Sequence, residues 1–373
     1  MDVVELAKEL INIPSESIRD GEISVAKYVL DFFEKLDLNP KLIRFNTNNA
    51  NVIVDIGSGE GLMLNGHMDT VPLGDPSLWT KGTSATVSDG KLYGRGASDM
   101  KGGIASLLSA IANLGIAKKN PKRRLLITLV AGEEVDFRGS NYLLDNHKEI
   151  FDGVKYGIIA EPTFSGPNAK VQIAQKGAMN IELNFKGKAA HASTPSLGDN
   201  AILKAVRFIT EYQKIADNFT VTDKLLGEGT FNFGIIKGGV AANVVPDYCK
   251  VNLDRRLVPG ETAEGALKQT KDVLANIGIK ADITTPVSRE AFSVDRNSEI
   301  IKMVNRAAGE TVEEYGSTGY TEAELYKSKA GIDSVVFGPG EMKVAHQADE
   351  YVLVENLKKA EKFYENIINE WCF

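Results

Sequence analysis

Apolar residues recur at helical spacing from the start of the chain. Val3, Leu6, Ala7 and Leu10, then Val25, Tyr28, Val29, Phe32 and Leu36, predict two amphipathic helices. Short strand-like runs follow over 41–45, 51–56 and 61–65. After them come a helix over about 101–114, an apolar strand over 124–131, a helix near 139–146 and a strand over 156–160. This alternation predicts an α/β fold with a mixed, largely parallel sheet and helices on both faces. From about residue 177 the rhythm changes. Residues 180–185 alternate as a half-exposed strand, ahead of a long helix over 199–215, strands over 230–236 and 244–254, a helix over 262–277 and a strand over 280–284. That order, βαββαβ, is ferredoxin-like. The α/β pattern resumes with helices over 299–309 and 321–329, a strand over 334–337 and a helix over 355–371. The expectation is one domain built from 1–176 and 286–373, interrupted by a smaller one over 177–285.

Composition narrows the function classes. A chain of 373 residues with 43% hydrophobic and 25% charged side chains can bury its core without disulfides or structural metals. Its 43 basic and 50 acidic groups leave a net charge of -7, so no general attraction to nucleic acid or an anionic membrane is built in. Cys249 and Cys372 are too few and too far apart for a disulfide framework, which fits a reducing cytoplasm. The segment MDVVELAKEL has no basic, then apolar, secretion pattern, and no apolar run approaches the roughly 20 residues of a membrane span. A cytoplasmic protein with a small-molecule partner is expected.

Candidate chemistry gathers where predicted strands end. His67 and Asp69 follow the run 62–66, Asp99 precedes a helix in YGRGASDMKGG, and Glu133 and Glu134 close LLITLVAGEE. Glu161 closes YGIIAEP, and His346 follows SVVFGPG within a few residues. In open α/β sheets ligands bind outside the carboxyl ends of strands, so these acids and imidazoles converge. A lone histidine is more often structural than functional, and His147, on an expected exposed helix, is read that way. Adjacent glutamates usually mark a solvated face, yet Glu133 and Glu134 follow a strand that reads as buried, where two carboxylates repel unless cations neutralise them. Imidazoles and carboxylates without thiolates suit Zn, Co or Mn. Two such ions about 3.5–4 Å apart can share a water and polarise a carbonyl, which makes hydrolysis the natural chemistry. Competing motifs fail in detail. Ser98 to Lys101 matches S-x-x-K without its companion SDN and KTG elements, Gly94 and Gly96 begin an incomplete dinucleotide fingerprint, and neither G-x-S-x-G nor a Walker A sequence occurs.

The ordered set GHMDTVP, YGRGASDMKGG, AGEE, AEPT, HAS, ANVVPD, DRR and FGPG resembles the M20 dinuclear metallopeptidases and amidohydrolases, in particular the acetylornithine deacetylase and succinyl-diaminopimelate desuccinylase group. The resemblance spans essentially the whole chain. It implies that His67 and Glu161 hold one metal ion, that Glu134 and His346 hold the other, and that Asp99 bridges them. It makes Asp69 the acid that orients the His67 imidazole, Glu133 the general base, and the Asp99–Met100 peptide cis. The inserted domain becomes a lid and homodimerisation surface. His191 then supports the oxyanion in the partner subunit's site, and Asn243 and Arg256 grip a substrate carboxylate. Relatives with G-G-T-D or G-G-T-S differ from the stretch 316–323 here, whose Thr321-Glu322-Ala323 core looks more like the acetylornithine type and offers Glu322 to a cationic substrate side chain. The leading expectation is hydrolysis of an N-acyl amino acid. A metallocarboxypeptidase or dipeptidase on the same scaffold is the second reading. A catalytically silent metal or amino-acid binder is the third, and Glu133 argues against it.

Overall fold

The computed structural model describes residues 1–216 and 219–373. They divide into two compact units. One comprises Met1–Ile173, Val294–Tyr315 and Thr321–Phe373, and the other Ala174–Ser293 with Gly316–Tyr320.

The first unit is α/β, with helices on both faces of a mixed sheet. At the centre of the sheet lie four adjacent parallel strands in the order Arg124–Val130, Gly61–His67, Val154–Ile159 and Asp333–Val336. Antiparallel strands flank them, with Ala50–Ile56 beside Arg124–Val130 and Lys170–Gln175 beside Asp333–Val336. Every residue of Gly61–His67 is buried, which explains why the central strands read as continuous apolar runs. Because the four strands are parallel, their carboxyl ends open at one edge, where ligand sites form in such sheets. The helix Lys101–Leu114 approaches that edge closely. A Cβ on Gly103 would stand 2.1 Å from the Ala160 carbonyl oxygen, so only glycine lets the helix start pack against the end of Val154–Ile159. The Asp99–Met100 peptide immediately before the helix is cis.

The second unit carries an antiparallel sheet in the order Thr230–Gly238, Tyr248–Leu257, Gly177–Lys186, Asp282–Arg289. With the helices Ala201–Ala216 and Ala263–Asn276 this is the βαββαβ pattern. Ile181, Leu183, Phe185, Val251 and Leu253 alternate onto the face that meets Phe208 and Tyr212. The strand expected from residue 244 begins at Tyr248, because Val244 pairs with His191 in an isolated bridge and Pro246 has no amide to donate to a ladder. Among the described residues no helix is long and apolar enough to cross a membrane.

Candidate metal centre

Each strand end at the open edge of the first unit delivers one or two functional side chains. His67 closes Gly61–His67, Glu133 and Glu134 begin the turn after Arg124–Val130, and Glu161 follows Val154–Ile159. His346 stands on the loop after Asp333–Val336, and Asp99 precedes Lys101–Leu114. The five expected metal ligands come together as two triads that share Asp99: His67, Asp99 and Glu161, and Asp99, Glu134 and His346. The His67 imidazole is fully buried, with Nε2 3.0 Å from Asp99 Oδ1 and 3.4 Å from Glu161 Oε1. His346 Nε2 lies 3.2 Å from Asp99 Oδ2 and 3.1 Å from Glu134 Oε2. Asp99 thus turns one oxygen to each histidine, the disposition of a carboxylate between two cations.

The electrostatics of the site call for positive charge. Burial, and then the nearby Asp99 carboxylate, push Glu161 up to about 8. Burial opposes charging His67, but Glu161, Asp69 and Asp99 outweigh it and raise the imidazole well above its ordinary value. Hydrogen bonds to Asp99 and Glu134 lift His346 to about 10. The donor set itself is three carboxylates and two imidazoles without a thiolate, which fits divalent cations of borderline hardness.

Asp69 does more than face His67. Its Oδ1 lies 3.5 Å from His67 Nδ1, and its two oxygens accept the backbone N–H groups of Glu133 and Glu134, each at 3.1 Å. The Ser17 hydroxyl donates to it at 2.6 Å. Against the penalty of burial, His67 first, then Ser17 and the Glu134 amide, hold its carboxyl below the usual range. The two preceding amides of the same turn are also held from below, Ala131 N–H by Asn51 Oδ1 at 3.0 Å and Gly132 N–H by Glu22 Oε1 at 3.1 Å. Four consecutive amides therefore meet side-chain acceptors, and the turn presenting Glu133 and Glu134 is fixed. Sequence reasoning missed Ser17, Glu22 and Asn51. The one available signal was a lone Asn within the apolar strand Ala50–Ile56.

Glu133 belongs to neither triad. Burial raises its carboxyl well above the usual range, with Glu161, Glu322 and Glu134 adding repulsion and His67 opposing. Glu322, expected to face a substrate side chain, is 1% exposed and hydrogen-bonded to Ser140, whose hydroxyl also lies 2.9 Å from the Tyr326 hydroxyl. Burial pushes Glu322 up to about 7. In this conformation it acts on the site through the field it exerts on Glu133, because solvent does not reach it.

In the second unit, His191 and Asn243 lie on adjacent segments, joined by the His191–Val244 bridge and by Ala192 N–H donating to the Asn243 carbonyl at 3.0 Å. Both are exposed, and His191 Nδ1 sits 2.7 Å from the Ser193 hydroxyl. Arg256 is at the far end of the strand Tyr248–Leu257, where Asp254 holds its Nε at 2.7 Å. At about 3.3 Å per residue, the run from Tyr248 to Arg256 covers roughly 26 Å.

The model of peptidase family M20/M25/M40 matches residues 63–370, a span that holds both triads and Glu133. The chain belongs to this family. It is a metal-dependent hydrolase of the M20 type. A Staphylococcus aureus protein named "Probable succinyl-diaminopimelate desuccinylase" is 30% identical, with 95% of each chain covered. The acetylornithine deacetylase of Myxococcus xanthus is 32% identical over 86% of this chain and 83% of its own. Among solved structures, the aminopeptidase PepT of Bacillus cereus superposes with a TM-score of 0.79 at 23% identity, covering 99% of this chain and 98% of its own, which supports the M20 fold.

Proposed function

We propose that this M20 hydrolase cleaves the amide bond of an N-acyl amino acid at a site that takes two divalent cations. The observation that carries the reading is the pair of triads sharing Asp99, with Glu133 beside them and in neither. His67 and Glu161 would hold one ion, Glu134 and His346 the other, and Asp99 both. Zinc is favoured by the nitrogen and oxygen donors, with cobalt or manganese able to take the same places. Bound there, the ions would offset the carboxylate charge and supply Lewis-acid polarisation. Asp69 orients His67 and anchors the turn of Glu133. Glu133 takes a proton from the attacking water and delivers it to the departing amine. His191 donates to the oxyanion, while Asn243 and Arg256 bind the substrate carboxylate.

Assembly across a homodimer is part of this reading, with His191 of one chain serving the site of the other. Leu203 and Val206 on Ala201–Ala216, and Ile235 and Ile236 on the edge strand Thr230–Gly238, are exposed apolar side chains suited to a second copy. The two free, buried cysteines support a reducing cytoplasm.

The deciding experiment is turnover of a panel of N-acetyl amino acids, N-succinyl amino acids and dipeptides with added zinc or cobalt. Turnover confined to dipeptides would favour the peptidase reading, and binding without any turnover the silent one. Metal analysis of reconstituted protein is expected to give two ions per chain, and saturation at one ion with full activity would exclude the shared-Asp99 mechanism. Converting the substrate's free carboxylate to an amide is expected to lower kcat/KM by about 10- to 100-fold, the worth of one or two charge-assisted hydrogen bonds, and more than trimming the side chain does. Equal turnover of acid and amide would remove Arg256 and Asn243 from substrate binding.

A further inference from the structure

Two residues that belong to neither triad tie together the segments bearing Asp99 and His346. Arg95 and Glu350, 255 residues apart in sequence, form a buried ion pair, with Nη1 to Oε2 at 2.5 Å and exposures of 9% and 1%. Glu350 Oε1 accepts the backbone N–H groups of Ser98 at 2.9 Å and Asp99 at 3.1 Å. In the other direction the Arg95 guanidinium donates to the carbonyls of Gln347 at 3.2 Å and His346 at 3.4 Å. Each partner therefore grips the backbone of one metal-ligand segment while holding the other partner. The Trp79 ring centre lies 5.2 Å from the guanidinium carbon.

The two halves of the centre depend on this device unequally. His67 closes Gly61–His67 and Glu161 comes two residues after Val154–Ile159, and the ladder between these parallel strands places both segments. His346 comes ten residues after Asp333–Val336 ends, on a loop where His346 and Asp349 both adopt left-handed backbone, with φ of +64° and +55°. Side chains with a Cβ hold that conformation only where their surroundings impose it. The guanidinium on the His346 and Gln347 carbonyls is one such restraint, and Asp349 accepting from the Thr80 hydroxyl at 2.6 Å and Lys81 N–H at 3.1 Å is another.

We infer that the Arg95–Glu350 pair is a positioning device for the second ion, setting where His346 stands relative to Asp99 and so the affinity of the site made by Asp99, Glu134 and His346. The inference rests on the two-ion reading above and assigns roles to residues that reading leaves without any. Outer partners of this kind typically change metal affinity by about 10- to 100-fold when removed.

The test uses chelator-stripped protein, zinc titrations followed by calorimetry, and thermal melts without metal. The key variant is Arg95→Met combined with Glu350→Gln. It removes both charges together, leaves an acceptor for the Ser98 and Asp99 amides, and avoids stranding a buried ion. His346→Ala identifies which of the wild-type binding events belongs to the second site. In the double variant that event is expected to weaken by about 10- to 100-fold. The other event should shift by less than about threefold, and the melting temperature without metal should stay near wild type. Glu350→Gln alone should lower the melting temperature, and adding Arg95→Met should restore it without restoring the second ion. Equal weakening of both events, or of neither, would overturn the positioning role. Uptake of a single ion by the wild-type chain would instead overturn the two-ion reading, and this inference with it.

Discussion

Glu133→Gln is expected to lower turnover by about two to four decades while the protein keeps its full complement of metal. The carboxylate stands in neither triad, so replacing it removes no ligand. Glutamine preserves its size but can neither accept a proton from water nor pass one to the leaving amine. Retained zinc stoichiometry and a near-normal KM would place the loss in the chemical step. Glu134→Gln should behave in the opposite sense, because Glu134 shares His346 Nε2 at 3.1 Å and belongs to the triad. Its main defect is expected in metal affinity, with activity recovering as added zinc is raised. Opposite phenotypes for neighbouring glutamates follow from Glu134 belonging to a triad and Glu133 to neither, on a turn whose two amides Asp69 holds. An exchange of the two phenotypes would reverse the assignments.

The central architecture was legible because parallel strands buried on both faces must be apolar throughout. Residues 61–67 and 124–130 therefore stand out as runs, and the polar residues that end them stand out in turn. The grouping of His67, Asp99, Glu134, Glu161 and His346 was visible through motif order, since four of the five end or follow such a run and Asp99 stands just before a helix. What supports them was not visible. Glu22, Asn51 and Glu350 act through backbone amides far away in sequence, and a single polar residue in a loop or strand carries no period that announces such a contact. Strands of three residues, such as Thr86–Ser88 and Lys91–Tyr93, are too short to show alternation. Glu322 misleads for a physical reason. An acid in the first turn of a helix is what the helix dipole favours at a solvated end, so its sequence context reads as exposed. Here that end is buried, and Ser140 satisfies one oxygen of the carboxylate.

His191→Ala is expected to cost about two to three decades in kcat, the usual worth of an oxyanion donor, with metal content unchanged. The stronger test is whether the loss can be complemented. If His191 serves the partner's site, the competent unit combines Glu133 of one chain with His191 of the other. Chains bearing His191→Ala and chains bearing Glu133→Gln are each inactive as homodimers. After subunit exchange about half the dimers are mixed, and each has one site with both wild-type residues and one with neither. Activity should then recover to roughly 25% of wild type per total chain, because one site in two works in one dimer in two. The same arithmetic separates the alternatives. If His191 acted within its own chain, every site in a mixed dimer would lack one residue and recovery would be nil. Exchange demonstrated with differently tagged chains, together with activity no higher than that of the separate variants, would therefore confine His191 to its own subunit or remove it from the reaction.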